Sequence, residues 1–272
     1  MIIETLLAAL AGLLIGSFLN VCIYRLPRDL SVVRPRSFCP ACDKPIAWFD
    51  NVPVLSFVLL GGRCRHCHQR IPMRYPVVEL LTAAAFACSI WFLGLTAAGF
   101  KYCVLGAILI ALLFSDLEER ILPDEFTLGG TAAGVLFAIF VSIPPSIMSL
   151  VLVSVHNPRV ISVGESLFAA AFCSGSLWGI GLLYQEMRHR EGLGLGDVKM
   201  AALIGSFLGI YDALLTLIAA SLLGTIVGLF FIWVTGKDAS TYELPFGTFL
   251  ALAALVVGFS SVVFNWYGRF GF

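Results

Sequence analysis

Charge is what this sequence is short of. Only 12% of its 272 residues are charged, against about 25% in soluble globular domains. Hydrophobic residues make up 59% and the mean hydropathy is +0.95, so an ordinary water-soluble domain is excluded. Neither sign prevails, with 17 Lys and Arg against 17 Asp and Glu, and bulk charge therefore points to no nucleic-acid partner. The start lacks the basic opening and the small-residue cleavage site of a removable signal peptide, and it keeps Glu4. It reads as a retained first helix. Internal repeats and low-complexity tracts are missing too. The glycine-rich turn at 192–196 has no strand before it, which excludes a Rossmann dinucleotide site.

What the chain has instead is apolar runs, at 3–24, 76–98, 100–117, 125–143, 164–187, 198–210, 212–235 and 245–266. A membrane-spanning helix takes roughly 20 such residues. If the first run enters from outside, 14 of the 17 basic residues face inward, leaving Lys101, Arg159 and Arg269 outside. That distribution obeys the positive-inside rule. The expected fold is an all-α polytopic membrane protein of about eight transmembrane helices with both ends outside, its lipid contact supplied by the bilayer. The run 198–210 is the short one. Residues 144–163, broken by Pro144, Pro145 and Pro158, read as an external loop.

Nine of the basic residues (Arg25, Arg28, Arg34, Arg36, Lys44, Arg63, Arg65, Arg70 and Arg74) fall in 25–75 with only Asp29, Asp43 and Asp50 as acids. This segment should be cytoplasmic. It also holds Cys39-Pro40-Ala41-Cys42 and Cys64-Arg65-His66-Cys67, two Cys-x-x-Cys pairs with 21 residues between them. The spacing is that of a four-thiolate zinc site. A reducing cytosol disfavours disulfides, and a segment this small needs a metal for its stability. Cys39, Cys42, Cys64 and Cys67 are the expected ligands of a structural zinc, with His66 and His68 as bystanders. A redox pair is the competing reading.

Two acids stand at the ends of apolar runs, where a charge needs a reason to persist. Asp197 lies in Gly192-Leu193-Gly194-Leu195-Gly196-Asp197-Val198-Lys199, whose glycines allow unusual dihedrals or close approach. Asp116 follows the run ending at Phe114 and precedes Glu118-Glu119-Arg120. Two such carboxylates suit water activation by a proton-sharing dyad; alternatively each simply caps a helix. Helix dipoles suggest Asp197, before a helix, as the base and Asp116, at the end of one, as the proton donor. Glu118, Glu119, Asp124, Glu125 and Glu191 either form a negative rim around the pair or, with Arg120 among them, are ordinary interfacial charges.

These blocks together resemble the type IV prepilin peptidases, bifunctional leader peptidases and N-methyltransferases that also serve type II secretion pseudopilins. The resemblance runs through Gly16-Ser17-Phe18-Leu19-Asn20-Val21, Tyr24-Arg25-Leu26-Pro27, the two cysteine pairs, Asp50-Asn51-Val52-Pro53 and Arg74-Tyr75-Pro76-Val77-Val78-Glu79-Leu80. It continues in Asp116 with Leu122-Pro123-Asp124, in Gly194-Leu195-Gly196-Asp197-Val198-Lys199 and in Leu244-Pro245-Phe246-Gly247. It implies a first transmembrane helix at 1–24, a cytoplasmic zinc module at 25–75 and a transmembrane aspartic peptidase domain at 76–272. It also implies the bacterial inner membrane, catalytic roles for Asp116 and Asp197, prepilin or pseudopilin substrates and S-adenosylmethionine as methyl donor, without assigning residues to that donor. Thr248 departs from the family pattern, which has proline there. A non-catalytic membrane scaffold with a zinc-binding interaction module is the alternative function; a thiol-oxidising protein would need its cysteines on the opposite face.

Overall fold

The computed structural model describes residues 1–144, 146–151, 157–189, 192–235 and 245–270. Among the described residues there is no strand, only two isolated antiparallel bridges, Phe38 with Pro45 and Arg63 with Arg70. The α-helices in chain order are α1 (Ile2–Arg25), α2 (Leu55–Leu59), α3 (Arg74–Leu93), α4 (Ala97–Glu119), α5 (Asp124–Phe140), α6 (Ile147–Val151), α7 (Pro158–Arg188), α8 (Leu195–Leu208), α9 (Ile210–Thr235) and α10 (Phe246–Phe270). Helix is what apolar sequence must form in lipid, because no water is there to satisfy the backbone. Six of these helices, α1, α3, α4, α7, α9 and α10, are long and apolar enough to cross a membrane. The chain is a multi-pass membrane protein.

Of the eight expected spans, α5 and α8 depart from full spanning length, with 17 and 14 residues. For α8 the reason is packing. Met200, Ala201 and every residue from Leu203 to Leu208 are buried, with α5, α7 and α9 packed around the helix. A side chain at Gly205 would come within 2.5 Å of the Ala169 carbonyl oxygen, and Ser166 Oγ donates to the Ser206 carbonyl at 2.8 Å. Small residues let the backbones approach this closely. A helix sheathed by other helices need not match the bilayer's thickness.

The second departure is at 144–163. Part of that stretch, residues 145 and 152–156, lies outside the described residues, but the rest is not a plain loop. It contains α6, and α7 already begins at Pro158. Asn157 accepts a hydrogen bond from the Arg159 N–H at 3.0 Å, an N-cap followed by proline at the first helical position. The proline taken as a breaker is a helix start.

The chain divides into two compact units, Met1–Ala111 and Leu112–Phe272, so that α4 begins in one and ends in the other. In the first, α1 packs on α3 through Gly12 and Gly16. A Cβ on either would lie 2.7 Å from a Cα of α3, that of Ala83 or Glu79. Between these helices runs the cysteine segment. Buried Arg25 donates to the carbonyls of Ser31 and Pro35 at 2.8 and 2.9 Å, and buried Glu79 accepts from the Val54 N–H at 2.7 Å.

Candidate functional site

Each unit carries one cluster of chemistry. In the first, two similar turns present the cysteines. Cys39 N–H donates to Lys44 O and Cys64 N–H to Gln69 O, and the residue after each pair, Asp43 or His68, has a left-handed backbone with φ of 55° or 57°. The four Sγ atoms lie within 4.8 Å of one another, and Cys39 Sγ to Cys67 Sγ is 3.8 Å. Four thiolates bonded to zinc at about 2.3 Å would have sulfurs about 3.8 Å apart. All four cysteines are free of disulfides, and His66 and His68 do not belong to the cluster. Backbone N–H groups of Cys67 and His66 pull the Cys64 thiol down to about 6, towards the thiolate, while burial pushes the Cys39 thiol up and Cys67 is pushed up to about 11. Arg65 clamps the module with two bonds to Asp50, at 2.6 and 2.7 Å, holding that carboxyl below its usual range.

In the second unit, the C-terminal end of α4 and the N-terminal turn of α8 bring Asp116 and Asp197 onto one cavity of about 270 Å³. Its other lining residues are Arg120, Ile121, Leu122, Asp124, Gly194, Gly196 and Lys199. Asp116 is 5% exposed. The chain turns sharply behind it: Arg120 adopts φ 54°, its N–H bonding to the Asp116 carbonyl at 3.0 Å, and Ser115 Oγ donates to Ile121 O at 2.8 Å. This turn sets Leu122 as a wedge. A Cβ on Gly196 would meet Leu122 at 3.2 Å, and one on Gly247 would meet Leu122 and the Asp116 carboxyl at 3.0 Å.

Two glycines of the turn, Gly192 and Gly196, therefore act by close approach. None of Gly192, Gly194 and Gly196 has a positive φ, whereas a Cβ on Gly192 would strike the Tyr184 ring at 2.3 Å. Sequence reasoning missed a further residue at the site. Thr248, in the first turn of α10, directs both its N–H and its Oγ to Asp116 Oδ2, at 2.6 and 2.8 Å. The sequence marked Thr248 as a departure from the family's proline, after a Pro245 that announces a helix start, but gave it no contact with the acids.

Among the described acids of the expected negative rim, Asp124 alone lines the cavity, and Lys199 Nζ holds that carboxylate at 2.7 and 2.9 Å. Arg120 and Lys199 bring positive charge to the same wall. Glu191 lies outside the described residues.

Comparison with known proteins bears on both clusters. Residues 10–93 match the family model described as the Bacterial Peptidase A24 N-terminal domain, and 103–229 match that of the Type IV leader peptidase family. Among similar curated proteins, a prepilin leader peptidase/N-methyltransferase of Xanthomonas campestris pv. campestris is 32% identical over 276 residues, 93% of this chain and 90% of that one. Those of Pseudomonas aeruginosa and Myxococcus xanthus are 31% and 36% identical, covering 91% and 85% of this chain and 87% and 64% of their own. No solved structure matches.

Proposed function

This chain belongs to the type IV leader peptidase family, and from that premise we propose that Asp116 and Asp197 cleave the basic leader from type IV prepilins or type II secretion pseudopilins. Peptidase and N-methyltransferase activities come with the membership. Cleavage would take place at the cytoplasmic face of a bacterial inner membrane, and S-adenosylmethionine would then methylate the new N-terminal amine. The observation that carries the reading is the convergence of two acids from separate helices on one cavity. A non-catalytic scaffold gives no reason for that convergence.

The roles follow from what each carboxyl touches. Both Thr248 donors end on one oxygen of Asp116, and they lie in the first turn of α10, where a helix favours negative charge. Asp116 is thus the better base, the reverse of the expectation from the end of α4 alone, which took no account of α10. Asp116 would accept a proton as water attacks the scissile carbonyl carbon. Asp197, which lines the same cavity as Asp116, would hold the proton that two neighbouring carboxylates share and give it to the carbonyl oxygen. Collapse of the resulting diol breaks the C–N bond: the leaving amine takes the proton that Asp116 accepted, and a diol hydroxyl returns one to Asp197. The four cysteines would hold a zinc ion that stabilises the module; a closed four-thiolate site has no open position for chemistry.

The test is cleavage of a co-expressed prepilin by the wild type and by Asp197→Asn. Loss of the processed form in the variant is expected, with the protein still inserted in the membrane. Undiminished processing would remove Asp197 from the reaction.

A further inference from the structure

The cysteine module carries a helix that is inside out. In α2, Ser56 is the buried residue, its Oγ donating to Phe49 O at 3.0 Å and accepting from the Val52 N–H at 3.1 Å. Leu55, Val58 and Leu59 point away, 54%, 67% and 76% exposed. Their spacing puts all three on one helix face. The short 3-10 turn at Trp48–Asn51 precedes α2 and packs on it, and there Trp48 is 75% exposed. A module reading as water-facing, with nine basic residues, would gain nothing from a bare apolar face of this kind.

We propose that this face, Trp48 with Leu55, Val58 and Leu59, seats the module on the headgroup layer of an anionic bilayer. Two independent features of the first unit single out that occupant. One is continuity: the segment leaves α1 at Arg25 and re-enters α3 at Arg74, and both helices are of membrane-crossing length and composition. The module is tethered at both ends to the bilayer surface. The other is charge: Arg34, Arg36, Lys44, Arg63 and Arg70 are exposed, while Asp50, one of only three acids in the segment, is taken up by Arg65. A basic surface carrying a tryptophan and aliphatic side chains matches the interface of an anionic leaflet, where indole rings and lysine or arginine side chains both settle. The proposal does not depend on which residues cleave the substrate.

The experiment uses the full-length protein in vesicles of phosphatidylethanolamine and phosphatidylglycerol. Lipids brominated high on the acyl chain quench tryptophans at the interface, and subtracting the signal of Trp48→Phe isolates Trp48 from the other four. The expected result is a Trp48 component quenched at least twofold, with markedly weaker quenching in brominated phosphatidylcholine. In parallel, benzoylphenylalanine at position 59 should form photoadducts with lipid, detected by intact mass. An unquenched Trp48 would overturn the proposal. So would adducts at position 59 formed only with a second chain or with a substrate, and equal quenching in the two lipid mixtures would overturn its anionic part.

Discussion

At the scale of single residues, Thr248 is the most informative position. Its hydroxyl and its N–H are both spent on Asp116, so the side chain can be removed while the backbone donor remains. Thr248→Val should lower kcat for leader cleavage by roughly tenfold, the worth of one hydrogen bond to a charged group, with KM little changed. Thr248→Ser, which keeps the hydroxyl, should restore most of it. Equal losses in both variants would mean that Thr248 only fills space. A contact between residues 132 positions apart leaves no trace in hydropathy or periodicity. Asp116 and Asp197 stand out in the sequence because a charge at the end of an apolar run demands an explanation, and the cysteines because of their paired spacing; a threonine has neither mark.

At the scale of elements, the seam between α7 and α8 sets where the cavity wall lies. The atom that a Cβ at Gly205 would strike is a backbone carbonyl at 2.5 Å, which no rotamer change can relieve. Gly205→Ala should therefore reduce stability by about 1–3 kcal/mol, seen as a lower thermal midpoint in detergent. Gly194→Ala is the contrasting variant. The nearest atom to its Cβ is Asp197 Oδ2 at 3.6 Å, ordinary contact, so the midpoint should hold while a methyl group intrudes on the cavity and cleavage slows. All eight apolar runs do lie on helices. What hydropathy could not reveal is which are sheathed by protein: it counts α8 as a short span because burial in lipid and burial among helices select the same side chains. Local chemistry misled at Pro158, where one residue type serves both to break a helix and to begin one.

At the scale of the whole molecule, one chain carries a four-cysteine module and the two aspartates of a membrane peptidase. By the positive-inside rule, the basic residues concentrated in 25–75 would place the cysteines on the cytoplasmic side. A membrane-impermeant maleimide applied to intact spheroplasts should leave exposed Cys67 unlabelled, whereas inside-out vesicles treated with a chelator should label it. The purified protein should hold about one zinc per chain, and Cys39→Ser should lose it. Labelling from the outside would invert the topology and with it the side on which a leader is cut. The central claim is that Asp116 and Asp197 work as one unit, and groups that do so are strongly non-additive when removed. The most direct test is a kinetic cycle on a synthetic prepilin in proteoliposomes, comparing wild type, Asp116→Asn, Asp197→Asn and the double variant. Each single change should cost roughly 10³-fold or more in kcat, with the double costing no more than either; a single variant within tenfold of wild type, or two moderate losses that multiply in the double, would contradict the shared dyad.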